Sequence, residues 1–528
     1  WTVSDAAGNL ATDMQVLDVN PLVSFSRETA DVPEGVSLPV QLNLNGAAPS
    51  YPVTVDLSVS GSATESSDFS LVNTVITIDS GLVGTTTIDV VADAIADDQE
   101  EIVLTIVNSQ GAVAGGVDVQ TLRIVEGNIL PMVNISATQN GEFRRDIVPV
   151  EGPVRIDAIV ADPNTADTHS FNWAGTDGAL VPVEGYTSGS FTFDANGLTA
   201  GTYLTQVTVV DSGDPTQPQT VQRWMRVLPE APVLQAVDDS DGDGIDDQTE
   251  GYGDVDLDGT PDWLDPTNEM HQLLLRSGGQ DLLQTDEGLS ISLGSTAIAA
   301  GNDAAITLLD VQLYGSNGGP ALATDDPDYS YLTDVVDFEI SELGRTGDSA
   351  RVVVPLGGTI PSEAGYRKYL SDIGWQSFVS DGTDAVASAP GTPSSCPAPG
   401  SSLYRPGLTE GDRCVQLTIR DGGPNDADGI ANRIVRDPGG VAMRTVVAMV
   451  SLESLTLPDV TVTEGQTDVA MLHFRLNSNS GGTRLSAITL RALGSGDDAV
   501  DVRNVTLWAD VDANGAVSAG DIELGSGN

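Results

Sequence analysis

Between residues 238 and 265 the chain places eleven Asp and one Glu in 28 residues, with no Lys or Arg among them. Two like charges at about 4 Å repel by about 1 kcal/mol in bulk water, and by more once water is excluded. A fold that gathers these side chains must therefore bring positive charge from outside the segment. Asp239, Asp241, Asp243, Asp247 and Glu250 stand at positions 1, 3, 5, 9 and 12 of a loop with Gly244 at position 6. Asp254, Asp256, Asp258, Asp262 and Asp265 repeat that spacing 15 residues later, with Gly259 in the glycine place. Alternate residues of a tight loop point inward, glycine permits the sharp turn, and Ca²⁺ asks for about six to eight oxygens at roughly 2.3–2.6 Å. The spacing predicts two calcium loops in tandem, without flanking segments of helix length.

The whole chain shares the bias. Its 77 acidic residues against 22 basic ones give a formal charge of −55. That charge repels nucleic acid and anionic lipid, which excludes polyanion partners. The acids are 57 Asp and 20 Glu, and the bases are 21 Arg and one Lys, Lys368. With 40% hydrophobic residues the chain can still pack cores, so bound cations or a saline medium explain the acidity better than disorder does. At about 150 residues per domain, 528 residues imply three to five domains. No stretch approaches the roughly 18 apolar residues of a membrane span, and Trp1-Thr2-Val3-Ser4-Asp5 does not resemble a signal peptide. The chain is expected to be a segment of a larger protein. Cys396 and Cys414, the two cysteines, read as a disulfide and favour export.

Short Val/Ile/Thr runs alternate with Gly, Asp, Asn and Pro throughout, as in 53–59 and 203–210. The prediction is an all-β chain of tandem β-sandwiches in an elongated array, with borders at Pro-containing junctions. Residues 1–20, Trp-Thr-Val-Ser-Asp-Ala-Ala-Gly-Asn and a following strand, resemble the closing hairpin of a hyalin-repeat or immunoglobulin-like domain. In 21–128, Val32-Pro-Glu34-Gly, Gly61-Ser-Ala-Thr, Ser67-Asp68-Phe69 and Asp93-Ala-Ile-Ala-Asp97-Asp98-Gln-Glu100-Glu101 resemble a Calx-beta domain. The resemblance implies calcium ligands at Glu34, Asp68, Asp93, Asp97 and Glu100, with Glu126 beside them. Ala92 stands where such domains often carry a second Asp, so fewer ions or weaker binding are expected.

In 129–230, Ala161-Asp162-Pro-Asn164, Asp167-Thr-His169 to Trp173 and Val207 to Asp214 resemble a PKD or cadherin-like sandwich. Trp173 is expected in the core and His169 at the surface. Asp162, Asn164, Asp167 and Asp211 fit either one calcium site or turn formation. The two acidic loops of 231–268, with their short spacer, resemble thrombospondin type 3 repeats. Residues 269–450, with Cys396-Pro-Ala-Pro-Gly, Tyr404-Arg-Pro-Gly-Leu-Thr-Glu-Gly-Asp-Arg-Cys414 and Asp421-Gly-Gly-Pro-Asn425-Asp426-Ala-Asp428-Gly429-Ile-Ala-Asn432, resemble the choice-of-anchor U domain of bacterial exported proteins. There Asp426, Asp428, Gly429 and Asn432 copy the middle of a calcium loop, although Pro424 takes the place of its first ligand. In 451–528, a partial β domain, Asp510, Asp512, Asn514 and Asp521 surround Gly515 with Val517 at position 8, a dockerin-like or EF-hand-like loop.

No His-Glu-x-x-His, phosphate-binding Gly-rich loop with Lys, or Gly-x-Ser-x-Gly elbow occurs, and His169, His271 and His473 fall in separate predicted domains. The expectation is a non-enzymatic, calcium-stiffened extracellular scaffold or adhesion segment of a bacterial surface protein, binding several Ca²⁺. Its partners would be a protein or glycan surface ligand or further copies of itself. A filament or surface-layer subunit completed by neighbouring chains, and an accessory region of a secreted hydrolase, are the rival readings.

Overall fold

Strands form where β-branched and aromatic residues alternate with short polar ones, because every second side chain is driven into one apolar layer. Val83–Val90 turns Gly84, Thr86, Ile88 and Val90 inward, and Glu101–Gln110 does the same with Ile102, Leu104 and Ile106. The computed structural model describes residues 2–4, 10–12, 19–92, 100–125, 127–183, 189–213, 216, 218–301, 303–315, 325–332, 334–371, 373–392, 395–445, 450–457, 461–478 and 504–527. They build tandem β-sandwiches with only short helices.

The first sandwich faces two five-stranded sheets. One pairs, in order, Thr29–Pro33, Val119–Val125, Glu101–Gln110, Val53–Gly61 and Val75–Ile78; the other pairs Val113–Ala114, Leu22–Phe25, Ser37–Leu44, Val83–Val90 and Phe69–Leu71. The chain enters in the second sheet at Leu22–Phe25 and crosses to the first at Thr29–Pro33, where it pairs in parallel with Val119–Val125. That switch ties the two sheets together along one edge. Phe25, Leu42, Val55, Phe69, Ile88, Ile102, Leu104 and Leu122 fill the space between. Each such side chain contributes about 1.5–3 kcal/mol by leaving water.

The second sandwich pairs Glu142–Phe143, Met132–Gln139, Pro153–Ala161 and Ser190–Asp194 against Asp146–Ile147, Pro218–Val227, Gly201–Val210 and Ser170–Asn172. Trp173 is buried there, edge-on to Phe191 at 5.0 Å, as expected of a large aromatic ring in this stretch. The third has a six-stranded sheet of Gln272–Leu274, Leu282–Thr285, Ser349–Pro355, Cys414–Arg420, Ala385–Ala389 and Arg405–Pro406. It packs on a seven-stranded sheet whose main path is Ser290–Leu293, Val335–Ser341, Val435–Arg444, Ala364–Leu370 and Gly374–Ser377.

Each sandwich has its own core, yet residues 1–444 form one unit, with 445–528 as a second. Ile434 of the third sandwich lies in the core of the second, and Trp224 of the second packs on the core of the third. Arg345 reaches Asp31 at 3.4 Å and donates to the Thr121 carbonyl at 3.0 Å, joining the third sandwich to the first. Asn134 donates to Glu342 at 2.7 Å, and Ser24 to Glu287 at 2.7 Å. Within the first unit the sandwiches are therefore not beads on free linkers. The division after Arg444 falls ahead of the border expected at 450, where strand Val435–Arg444 ends. In residues 1–20, Thr2–Ser4 and Leu10–Thr12 form a two-stranded antiparallel sheet. The second unit holds two hairpin-like pairs, Val450–Leu455 with His473–Ser478 and Val505–Ala509 with Ile522–Gly527. Among the described residues no helix is long and apolar enough to cross a membrane.

Cys396 and Cys414 are joined, as the sequence predicts, at a sequence separation of 18. Closing that loop limits the unfolded chain, so replacing both cysteines by Ala is expected to cost about 3 kcal/mol by chain entropy. Denaturant midpoints of the oxidised parent and the double variant measure the difference. An unchanged midpoint would show that the loop adds nothing to the stability of the third sandwich.

Candidate metal centre

The acidic segment is laid down as two turns, each opened by glycine. Gly244 and Gly259, at the predicted sixth positions, have φ of 98° and 102°, where a Cβ would be strained. At Gly259 a Cβ would also meet Arg145 Nη1 at 2.5 Å. The first turn brings Asp239, Asp241 and Asp243 to within 4.8 Å of one another, and the second does the same for Asp254, Asp256 and Asp258.

The carboxylates divide their two oxygens in a repeated way. Asp241 Oδ1 accepts from Asp243 N at 3.1 Å, Asp256 Oδ1 from Asp258 N at 3.3 Å, Asp258 Oδ1 from Thr260 N at 2.6 Å and Asp265 Oδ1 from Thr267 N at 3.3 Å. The Oδ2 atom of each of these four residues is buried with no hydrogen-bond partner. Both oxygens of Asp254 and Oε2 of Glu250 are in the same condition. One oxygen thus fixes the turn, and the other is held out of water with no protein donor. Asp247 and Asp262 do different work: Asp247 accepts from Ser240 N and Oγ, both at 2.8 Å, and Asp262 Oδ1 accepts from Val255 N at 2.9 Å. These bonds cross each loop and hold its two ends together. Asp246 caps the single helical turn Asp247–Glu250 by accepting from Thr249 N, which carries Glu250 back toward the first cluster.

Burial is the largest cause of a rise at Asp241, Glu250, Asp254, Asp256, Asp258, Asp262 and Asp265. Glu250 is pushed up to about 7, with Asp241, Asp243, Asp247 and Asp262 adding to the rise. Asp256 is pushed to about 7 by burial and then Asp254, and Asp265 to about 8 by burial and then Asp256. Asp254 reaches about 6, burial outweighing the pull of Arg223 and Arg145. Asp258 is raised well above the carboxylate range, and Asp241 and Asp262 are raised as well. Desolvation without donors is the common cause, and a bound cation removes it directly.

The second loop is the more enclosed, because both neighbouring sandwiches close on it. Asp254 N donates to the Phe143 carbonyl at 2.9 Å, and Leu293 N donates to the Asp258 carbonyl at 2.7 Å. Arg145 Nη1 donates to the Leu293 carbonyl at 3.2 Å, and Arg223 lies 3.8 Å from Asp254. Loop spacing did not single out Arg145 or Arg223. Arg223 reaches the site from strand Pro218–Val227 and Arg145 from the bend between Glu142–Phe143 and Asp146–Ile147, and two guanidiniums cannot balance five carboxylates. The oxygens without donors fit an oxygen-seeking divalent cation in both loops. Such a cation would be held by Asp239, Asp241, Asp243 and Glu250 in the first, and by Asp254, Asp256, Asp258 and Asp265 in the second.

The remaining candidates differ. Asp510, Asp512 and Asp521 also converge within 4.8 Å, around Gly515 at φ 77°. Their oxygens are already taken: Asp510 accepts from Asn514 N and Gly515 N, Asp512 from Asn514 Nδ2, and Asp521 from Val511 N and Ser518 N. The Gly515 amide, first among several donors, lowers the Asp510 carboxyl. This loop is folded by its own backbone and creates less demand for an ion.

In the first sandwich, Gly35 N donates to the Val90 carbonyl and Val91 N to the Asp68 carbonyl, so Glu34 and Asp68 share one end. Asp68 accepts from Thr64 N at 2.6 Å, which lowers its carboxyl, and Glu100 also bonds to it. Asp93, Asp97 and Glu126 lie outside the described residues.

At 426–432 an arginine stands where the sequence reading placed an ion. Asp428 pairs with Arg436 at 2.8 Å and accepts from Asn432 Nδ2, while Asp426 accepts from Gly422 N and Arg436 N. The Arg436 guanidinium, the Asn432 side-chain amide and the backbone amides of Gly422 and Arg436 thus meet these carboxylates, although burial still raises both, Asp426 to about 7. In the second sandwich Asp162 accepts from Asn164 N and contacts His169 Nε2 at 2.7 Å; Asn164 accepts from Ile129 N and Asp167 from Ser212 Oγ. His169, at the start of strand Ser170–Asn172 as expected, is half-buried and paired with Asp162.

No protein-family model and no curated protein matches the sequence. Solved structures give loose likenesses. The apo-form Calx CBD1 domain is 17% identical over 20% of this chain and 98% of its own, with a TM-score of 0.19. Domains 4–9 of the surface layer protein SbsC are 12% identical over 83% of this chain and 69% of theirs, at 0.20. PcdhgB3 EC1-4 is 14% identical over 41% of this chain and 52% of its own, at 0.17.

A sign follows for the cation-free protein. Carboxyls at about 4 in the unfolded chain stand near 6 to 8 in the folded one, so the folded state holds more protons across that window. Stability of the first unit in chelated protein is therefore expected to fall as pH rises from about 5 to 8. Calcium added at pH 8 should restore it, since the ion displaces those protons. Melting curves at the two pH values, with and without calcium, test both halves; a cation-free melting point that rises with pH would contradict the assignment.

Proposed function

We propose that this chain is a calcium-fixed structural segment of an extracellular surface protein, in which divalent cations set the geometry between β-sandwiches. One observation carries the proposal: the carboxylate oxygens without protein donors lie in the segment that joins the second and third sandwiches, packed against both. A cation there would convert mutual repulsion into a joint, and its binding energy would become folding and orientation energy. The acidic composition and the Cys396–Cys414 bond support an oxidising, cation-rich, extracellular setting. No catalytic role is assigned. The partner on this reading is a protein or glycan ligand presented to a rigid array, or a second copy of the chain.

Calcium titration of the chelated full chain is the test. At a calcium concentration about a hundredfold above the dissociation constant, each site should add roughly 2.7 kcal/mol. Magnesium should add much less, because it demands octahedral geometry and keeps its waters. Asp256→Ala, which removes one inner oxygen from the second loop, is expected to abolish that loop's share. Limited proteolysis should cut within 231–268 faster in chelator than in calcium. Equal melting and equal cleavage in both would overturn the proposal.

A further inference from the structure

The chain has a single lysine among 22 basic residues, and Lys368 is fully buried. It sits on strand Ala364–Leu370 directly opposite Gly439 of strand Val435–Arg444. Asp437, two residues before Gly439, faces the same side, and at such a diagonal position a long side chain can reach across. Lys368 Nζ lies 2.7 Å from Asp437 Oδ1, and Asp437 is fully buried too. Gly439 keeps the gap open: a Cβ there would fall 2.6 Å from Asp437 Oδ1. The amine also donates to the Arg436 carbonyl at 3.0 Å, and the Tyr366 hydroxyl stands 3.5 Å from Asp437 Oδ2.

Elsewhere in this fold arginine holds buried or half-buried acids through two-point forks, at Asp31 with Arg123, Asp146 with Arg226 and Asp326 with Arg367. A guanidinium at such sites stays charged and does not acylate, whereas an amine beside a carboxyl can. An ion pair taken wholly out of water carries a desolvation cost that one contact repays poorly. Conversion to an amide removes both charges.

We propose that Lys368 Nζ and Asp437 Cγ become joined by an amide bond, a covalent cross-link between adjacent strands made by the folded chain itself. The step balances without a co-reactant. Beginning from ammonium and carboxylate, the Nζ–Cγ bond forms and one Cγ–O bond breaks. Two of the three ammonium protons leave with that oxygen as water, one proton stays on the amide nitrogen, and the opposite charges cancel. The Tyr366 hydroxyl, beside Oδ2, is placed to relay one of those two protons, giving its own to the departing oxygen and regaining one from the amine. Holding amine and carboxyl in contact in a dry site supplies effective concentrations on the order of 10⁵–10⁸ M. The proposal is independent of the calcium reading, since Lys368 and Asp437 belong to the sheet of the third sandwich.

Intact-mass measurement of the full chain, with Cys396–Cys414 reduced, is the test. The expected mass is lower than that of the sequence by one water, and proteolysis should yield a branched peptide containing both Lys368 and Asp437. Lys368→Arg should show the full sequence mass. Two results overturn the proposal: a wild-type chain of full mass with Lys368 and Asp437 in separate linear peptides, or a missing water located elsewhere. Both are read on the wild-type protein and need no variant to fold.

Discussion

Carboxylate oxygens that are buried without a protein donor govern how the first unit is held together. Leaving a buried charge unpaired costs several kcal/mol, so each one must find a proton, a guanidinium or an ion. With 21 Arg and one Lys for 77 acids, most carboxylates have to stay in water or meet a cation from the medium. Guanidiniums serve some of the buried acids, both within sandwiches and at their joints. At the joints, Arg345 stands between the first and third sandwiches, and Arg223 and Arg145 between the second and the acidic segment. The segment itself has none.

That division explains why one spacing has three outcomes. At 426–432 the side chain of Arg436 enters the loop, and the carboxylates close on it. At 510–521 the loop is exposed, and backbone amides suffice. At 254–265 the loop is covered by flanking sandwiches, at 239–250 Asp241 is buried between exposed neighbours, and in both one oxygen from each of several acids is buried without a donor. The third arrangement needs an external cation most. Enclosure also gives the ion mechanical meaning, because the groups it would gather are fixed to the strands on either side through Phe143 and Leu293.

Much of this was legible in the sequence. Period-two runs announced the sandwiches, and glycine at the sixth place of each loop announced the turns that Gly244, Gly259 and Gly515 make. Loop spacing located the convergence of Asp239, Asp241 and Asp243 and of Asp254, Asp256 and Asp258. What spacing could not carry was enclosure. Whether a loop carboxylate meets water, an amide or an arginine depends on residues far away in the chain, such as Arg145, 113 positions before Asp258. For the same reason Arg436 was invisible as the partner of Asp428, and Asp337, which is buried in the third sandwich, carried no motif. The packing of Ile434 into a foreign core likewise leaves no local trace.

Acids with affinities near neutrality are also what a hydrolase would assemble, since perturbed carboxyls mark catalytic sites as well as ion sites. The surroundings weigh against that use here. A general acid needs a cleft wide enough for substrate, and the cavity at this junction, lined by Arg145, Arg223, Trp224, Leu293 and Glu339, measures about 20 Å³. That is room for about one water molecule. A catalytic carboxyl must also exchange its proton with the reacting group, whereas Asp256, Asp258 and Asp265 are each tied to the backbone through one oxygen and face one another through the second. Side chains arranged in that way compete for a shared positive charge. On the proposed reading that charge is a held ion, and the segment is a joint.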